Sequence, residues 1–126
     1  MITVIIVISF LLFISAISKS IQDTLDFHFD KSIFSKAKGN WWNPKTSWKN
    51  KYDWFPNSKI LTWLISNPLV AITDAWHFFG FIRDFSIFSC IPIASGNYWL
   101  FLGYPVYRFI FHIFFTWIFI YLLLLF

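Results

Sequence analysis

Asp74 and His77 stand three residues apart in an otherwise apolar run, LVAITDAWHFFGFI. On a helix that spacing puts both on one face, where they suit acid–base work or two ligands of a metal ion. An ionised carboxylate near mid-bilayer costs about 2.5–3.5 kcal/mol on insertion scales. Asp74 should therefore be paired, protonated or set in a wet cavity. A structural role is equally open, as an Asp–His or Asp–Arg pair that locks helices together. Arg108 and His112 are four apart within YPVYRFIFHIFFTWIFIYLLLLF. Arg108 is a natural counter-charge for Asp74, or else it snorkels to the interface from the helix start. His112 reads mainly as a hydrogen-bonded packing residue.

A second ionisable group closes the first hydrophobic stretch: Asp23, Asp26, His28 and Asp30. Asp23 and Asp30 share a face, whereas His28 does not align squarely with either. The bland reading is a solvated acidic collar neutralised by nearby lysines. Asp23, His28, Asp74 and His77 are also the weak candidates for a divalent metal, since zinc takes three or four converging N, S or O ligands. That site would require the first two helices to pack closely. The chain has no H-E-x-x-H motif, no paired cysteines and no Glu.

The remaining polar concentration is Asn43, Ser47, Asn50, Lys51 and Tyr52, with Trp48 among them. Ser47 with His28 or His77 would imitate a nucleophile–base pair, but no Gly-x-Ser-x-Gly elbow is present. Asn and Ser here more simply satisfy loop backbone groups. Lys51 and Arg108 are the candidates for holding phosphate. The lone Cys90 excludes an internal disulfide and, in its Ser-Cys-Ile-Pro setting, reads as a packing residue.

Composition says what must position these groups. The chain has 126 residues, 58% hydrophobic, 25% aromatic and 13% charged. Soluble domains carry about 25% charged residues, so much of this apolar surface must face something other than water. The expected fold is all-α: one integral membrane domain over 1–126, with about three transmembrane helices and an aromatic, Lys-rich interfacial loop. Ile2 to Ser18 is free of charge, and 17 such residues rise about 25 Å, near the lower limit for a span. A cleaved signal peptide competes, but nothing basic precedes Lys19, so a retained span is preferred.

The expected elements are a helix over 2–31, the interfacial loop over 32–66, a helix over 67–88, a return loop over 89–103 and a helix over 104–126. Ser66 or Asn67 is the expected cap of the second helix, with Pro68 in its first turn. Eight of the ten basic residues are lysines between Lys19 and Lys59. Short Lys-rich loops stay cytoplasmic, and the same lysines suit anionic headgroups. Nucleic acid is the poorer partner, because the lysines lie between hydrophobic spans and form no basic helix.

The segments Asp23-Thr24-Leu25-x-Phe27-His28, Trp42-Asn43-Pro44-x-x-Ser47-Trp48-x-Asn50-Lys51-Tyr52 and Thr73-Asp74-Ala75-Trp76-His77 carry a resemblance. The chain resembles an uncharacterised family of small bacterial and phage integral membrane proteins with W-N-P-x-x-S-W-x-N-K-Y and T-D-x-W-H motifs. The likeness covers roughly residues 20–82. It implies a shared fold and shared site positions, with a bacterial inner-membrane location, but no reaction. Three functions follow as expectations. The first is an accessory or assembly subunit that binds partner helices and lipid, or associates with itself. The second is a membrane enzyme acting on a lipid or headgroup through Asp74 and His77. The third is proton or ion conduction by an oligomer through Asp74, His77 and His112.

Overall fold

The structure, a computed structural model, describes residues 1–67, 69–107 and 110, and all its regular elements are helical. In chain order they are α1 (Ile2–Phe27), α2 (Asn50–Asp53), α3 (Lys59–Ser66) and α4 (Ala75–Ser95). Short 3₁₀ turns cover Phe29–Lys31, Ile33–Lys36, Ser47–Lys49, Val70–Ile72 and Tyr98–Leu102. α1 and α4 are long and apolar enough to cross a membrane.

These two helices pack against each other as an antiparallel pair. Trp76 Nε1 donates to Asp26 Oδ2 at 2.9 Å, and one turn on, Gly80 lies against Gln22. Moving down α1 thus means moving up α4. The buried positions of α1 are Ser15, Ser18, Gln22 and Leu25, and those of α4 are Ala75, Gly80, Ser86, Ser89 and Pro92. The α1 set steps by three, four and three residues, the seam of a helix meeting one partner. Apart from Leu25 and Pro92, the groups inside this seam are small or polar. Ile2, Ile5, Ile6, Phe10, Phe13 and Ile17 are exposed.

Several boundaries differ from the sequence expectation. The first α-helix stops at Phe27, not near Lys31, because His28 leaves helical geometry at φ −132° and the chain tightens into 3₁₀ turns. Residues Lys59–Ser66, assigned to the interfacial loop, form α3, whose cap is the Ser58 hydroxyl accepting from Leu61 N. Ser66 and Asn67 end that helix instead of starting the next one. Asn67 Nδ2 folds back to Trp63 O at 2.8 Å. The next long helix begins at Ala75 with Asp74 as its cap and runs on to Ser95, so most of the expected return loop is helix. Pro92 is buried within it and Gly96, at φ +68°, ends it in the left-handed conformation that favours glycine.

After the turn at Tyr98–Leu102, residues 103–107 and 110 are helical. Tyr104 packs among Phe81, Phe85 and Phe88, with ring centroids 5.2–5.9 Å apart. The rest of the expected 104–126 helix, with Arg108 and His112, lies outside the described residues.

Candidate functional site

The polar groups gather where α1 ends and α4 begins. Asp74 has extended backbone, is only 3% exposed and closes the first turn of α4. Its Oδ1 accepts from His77 N at 2.9 Å, a cap worth about 1 kcal/mol. The ring Nδ1 of His77 lies 2.7 Å from Asp74 Oδ2. A carboxylate only accepts, so Nδ1 is the donor of this pair and Nε2 is left outside it. The His77 side chain is 35% exposed. A buried carboxylate therefore orients a half-open imidazole.

Asp74 precedes the long apolar helix, and the loops bury it. Asn50 Nδ2 donates to Thr73 O at 2.8 Å, Trp41 Nε1 to Ile72 O at 3.2 Å, and Ala75 N to Trp41 O at 2.9 Å. The Thr73 hydroxyl reaches Val70 O at 2.8 Å and Asp74 Oδ2 at 3.1 Å. Burial pushes the Asp74 carboxyl up. The hydrogen bonds and positive charge of His77, with help from Thr73, outweigh burial and hold it below its ordinary value of 3.8.

One turn into the helix pair is a second polar node. Gln22 is 2% exposed, and it donates from Nε2 to Trp76 O at 3.0 Å and accepts at Oε1 from Arg83 Nη1 at 2.9 Å. Arg83 also pairs with Asp84, Nη2 to Oδ1 at 2.7 Å. Gly80 makes this possible, since a Cβ there would stand 2.8 Å from Gln22 Nε2. The antiparallel register sets Gln22 and Asp23 of α1 level with Gly80, Arg83 and Asp84 of α4. Gly80 apart, these are the charged and polar level of the pair, and the more apolar stretches of both helices lie beyond it.

The other sequence candidates are distributed around this end. Asp23 pairs with Lys19, and Asp30 with Lys45 at 3.0 Å. His28 is exposed at the end of α1. It borders an open cleft of about 380 Å³ with Asp26, Asp30, Lys31, Pro44 and Lys45. Asn43 Oδ1 accepts from Lys45 N and its carbonyl from Ser47 N, which folds the Asn-Pro turn and buries Ser47. Trp48 and Tyr52 are exposed, with the ammonium groups of Lys49 and Lys51 over their rings at 5.7 and 5.2 Å. Among the described residues, no three of His, Cys, Asp or Glu converge as a metal site. The structure thus joins Asp74 to His77 and leaves Asp23 and His28 with other neighbours.

Sequence reasoning passed over Gln22, Gly80, and the Arg83–Asp84 pair. A signal was present: Ser15, Ser18 and Gln22 keep heptad spacing with Leu25. Compared with family models, curated proteins and solved structures, the chain matches none.

Proposed function

We propose that this chain is a small polytopic integral membrane protein that works by binding and assembly, an accessory subunit packing on partner helices and lipid. One observation carries the reading: α1 buries Ser15, Ser18 and Gln22 while exposing Ile2, Ile5, Ile6, Phe10 and Phe13. Helices that associate within lipid use small and hydrogen-bonding residues at their contacts, because apolar side chains gain nothing by leaving lipid for protein. Water would reverse that pattern.

On this reading the charged level formed by Gln22, Asp23, Arg83 and Asp84 sits at one headgroup zone. Exposed Tyr98 and Trp99 mark the opposite zone, as interfacial aromatics do. The segment 28–74 holds seven lysines against three aspartates. By the positive-inside rule it lies in the cytoplasm, with Met1 and the 96–102 turn outside. The motif resemblance supports a bacterial inner membrane. Carbonate extraction of cell membranes tests insertion: the protein stays with the membrane fraction, and its release would refute the reading. A photoreactive residue at Phe10 or Phe13 then crosslinks lipid, a second copy or a partner helix, whereas one at Ser18 crosslinks α4 alone.

The Asp74–His77 pair favours a second reading, an enzyme acting on a lipid headgroup with His77 Nε2 as the base. Asp74→Asn and His77→Ala separate the two. Normal assembly with loss of a lipid-modifying activity favours the enzyme, and loss of assembly favours the subunit.

A further inference from the structure

The whole formal charge of the chain, +4, resides in residues 28–74. Everywhere else, three basic residues balance three aspartates (Lys19, Arg83 and Arg108 against Asp23, Asp26 and Asp84). Of the seven lysines in the segment, Lys45 is paired with Asp30, and among the described residues the other six form no ion pair. Asp74, one of the three aspartates, is already occupied by His77. The segment therefore offers cations in excess of anything the described chain provides to meet them.

The same segment exposes large apolar side chains in a nearly continuous run. Trp48, Tyr52, Trp54 and Phe55 are exposed, as are Ile60, Leu61 and Trp63 on α3. Lys49 and Lys51 lie over the rings of Trp48 and Tyr52, so charge and apolar plane are presented side by side. Water is enough for the unpaired lysines, but not for a cluster of exposed Trp, Ile and Leu beside them. The segment is also tethered at both ends to the same end of the helix pair, by Phe27 of α1 and Ala75 of α4.

We propose that residues 28–74 form a platform that binds the anionic phospholipid headgroups of the leaflet next to the α1–α4 junction. Lys49, Lys51 and Lys59 hold phosphate while Trp48, Trp54, Ile60 and Trp63 enter the boundary between headgroups and acyl chains. This rests on the membrane reading above and names the lipid that it recruits. RNA would also use lysines beside stacked Trp rings; the exposed aliphatic Ile60 and Leu61 are what an acyl boundary adds.

The test uses the full chain reconstituted in mixed vesicles of phosphatidylcholine and phosphatidylglycerol. A brominated acyl chain is carried first by one lipid and then by the other, at equal mole fraction. Brominated phosphatidylglycerol quenches tryptophan fluorescence more strongly than brominated phosphatidylcholine. The expected enrichment is roughly fivefold per engaged lysine, from about 1 kcal/mol each near an anionic surface. The preference shrinks at raised salt and is mostly lost in the Lys49→Gln/Lys51→Gln/Lys59→Gln variant, whose helical circular dichroism is unchanged. Equal quenching by the two lipids in the natural chain overturns the proposal. Equal quenching together with oligonucleotide binding to protein in wholly zwitterionic vesicles assigns the lysines to nucleic acid instead. Carbonate extraction run alongside keeps the two readings apart: a chain that stays inserted but shows no preference refutes only the platform.

Discussion

At the junction end of the helix pair, α1 and α4 are joined by side chains that reach across: Asp26 to Trp76, and Gln22 to both Trp76 and Arg83. Further along the pair the contact is made by the small buried residues Ser15, Ser18, Ser86 and Ser89, with large apolar groups turned outward. The first region builds its cohesion from hydrogen bonds that must all be satisfied, because an unmet buried partner costs about 1–3 kcal/mol. The second gains from close backbone approach and dispersion. The difference teaches how one pair of helices divides its two kinds of contact along its length. Loops, lysines and capped helix ends belong to the junction, and a bare apolar exterior belongs to the far half.

The largest expected effect falls between the two regions. Gly80→Leu forces a side chain into the space of Gln22 and should destabilise the pair by about 3 kcal/mol in detergent unfolding. Adding Gln22→Ala should recover part of that loss; no recovery would mean that Gly80 is needed for something other than room for Gln22. Asp74→Ala follows, at about 2 kcal/mol from the lost cap together with the lost bonds to the His77 ring and the Thr73 hydroxyl. Hydrogen exchange should rise in the first turn of α4 and in the Trp41–Asn50 loops and stay unchanged around Ser86 and Ser89. Exchange rising equally throughout would erase the distinction between the regions.

Ser18→Leu should cost about 1.5 kcal/mol by overpacking a buried position, and it should leave the junction intact. Acid supplies a gentler probe. The Asp74 carboxyl is held below its ordinary value of 3.8, so its contribution is complete above that pH and is lost as pH falls through the lowered folded value. Unfolding midpoints measured on acidification should fall in the natural chain, and this component should vanish in Asp74→Asn. The smallest effect is Phe10→Leu on the exposed face of α1, within about 0.5 kcal/mol of neutral. A large loss there would mean that Phe10 is covered by another chain in the detergent particle.

Much of the helix content was legible. The charge-free Ile2–Ser18 stretch lies in α1 and most of the helix expected over 67–88 lies in α4, because a long apolar segment satisfies its own backbone groups best as a helix. The boundaries were harder. Asp74 was noted as a buried charge within a helix, when its extended backbone and its bond to His77 N make it the cap. The return loop expected over 89–103 is helix through Pro92 as far as Ser95, and Gly96 ends it. A proline inside a helix is tolerated when packing holds the turn around it, and packing cannot be read from a local window.

The sequence alone determined that this chain is helical, too apolar for an ordinary soluble domain, and basic in one stretch. Those properties follow from composition and from spacing along a single segment. It also set Asp74 three residues before His77, the spacing at which a cap side chain accepts from a backbone N–H of the first turn. Tertiary structure decided the rest. Gln22 meets Gly80 and Arg83 across roughly sixty residues of chain, and Asn50 and Trp41 cover the Thr73–Asp74 cap from a distant loop. Each of those contacts depends on the register of two helices and on where a loop folds back. Register is set by the shape of small residues meeting across a seam, and only the packed pair contains that information.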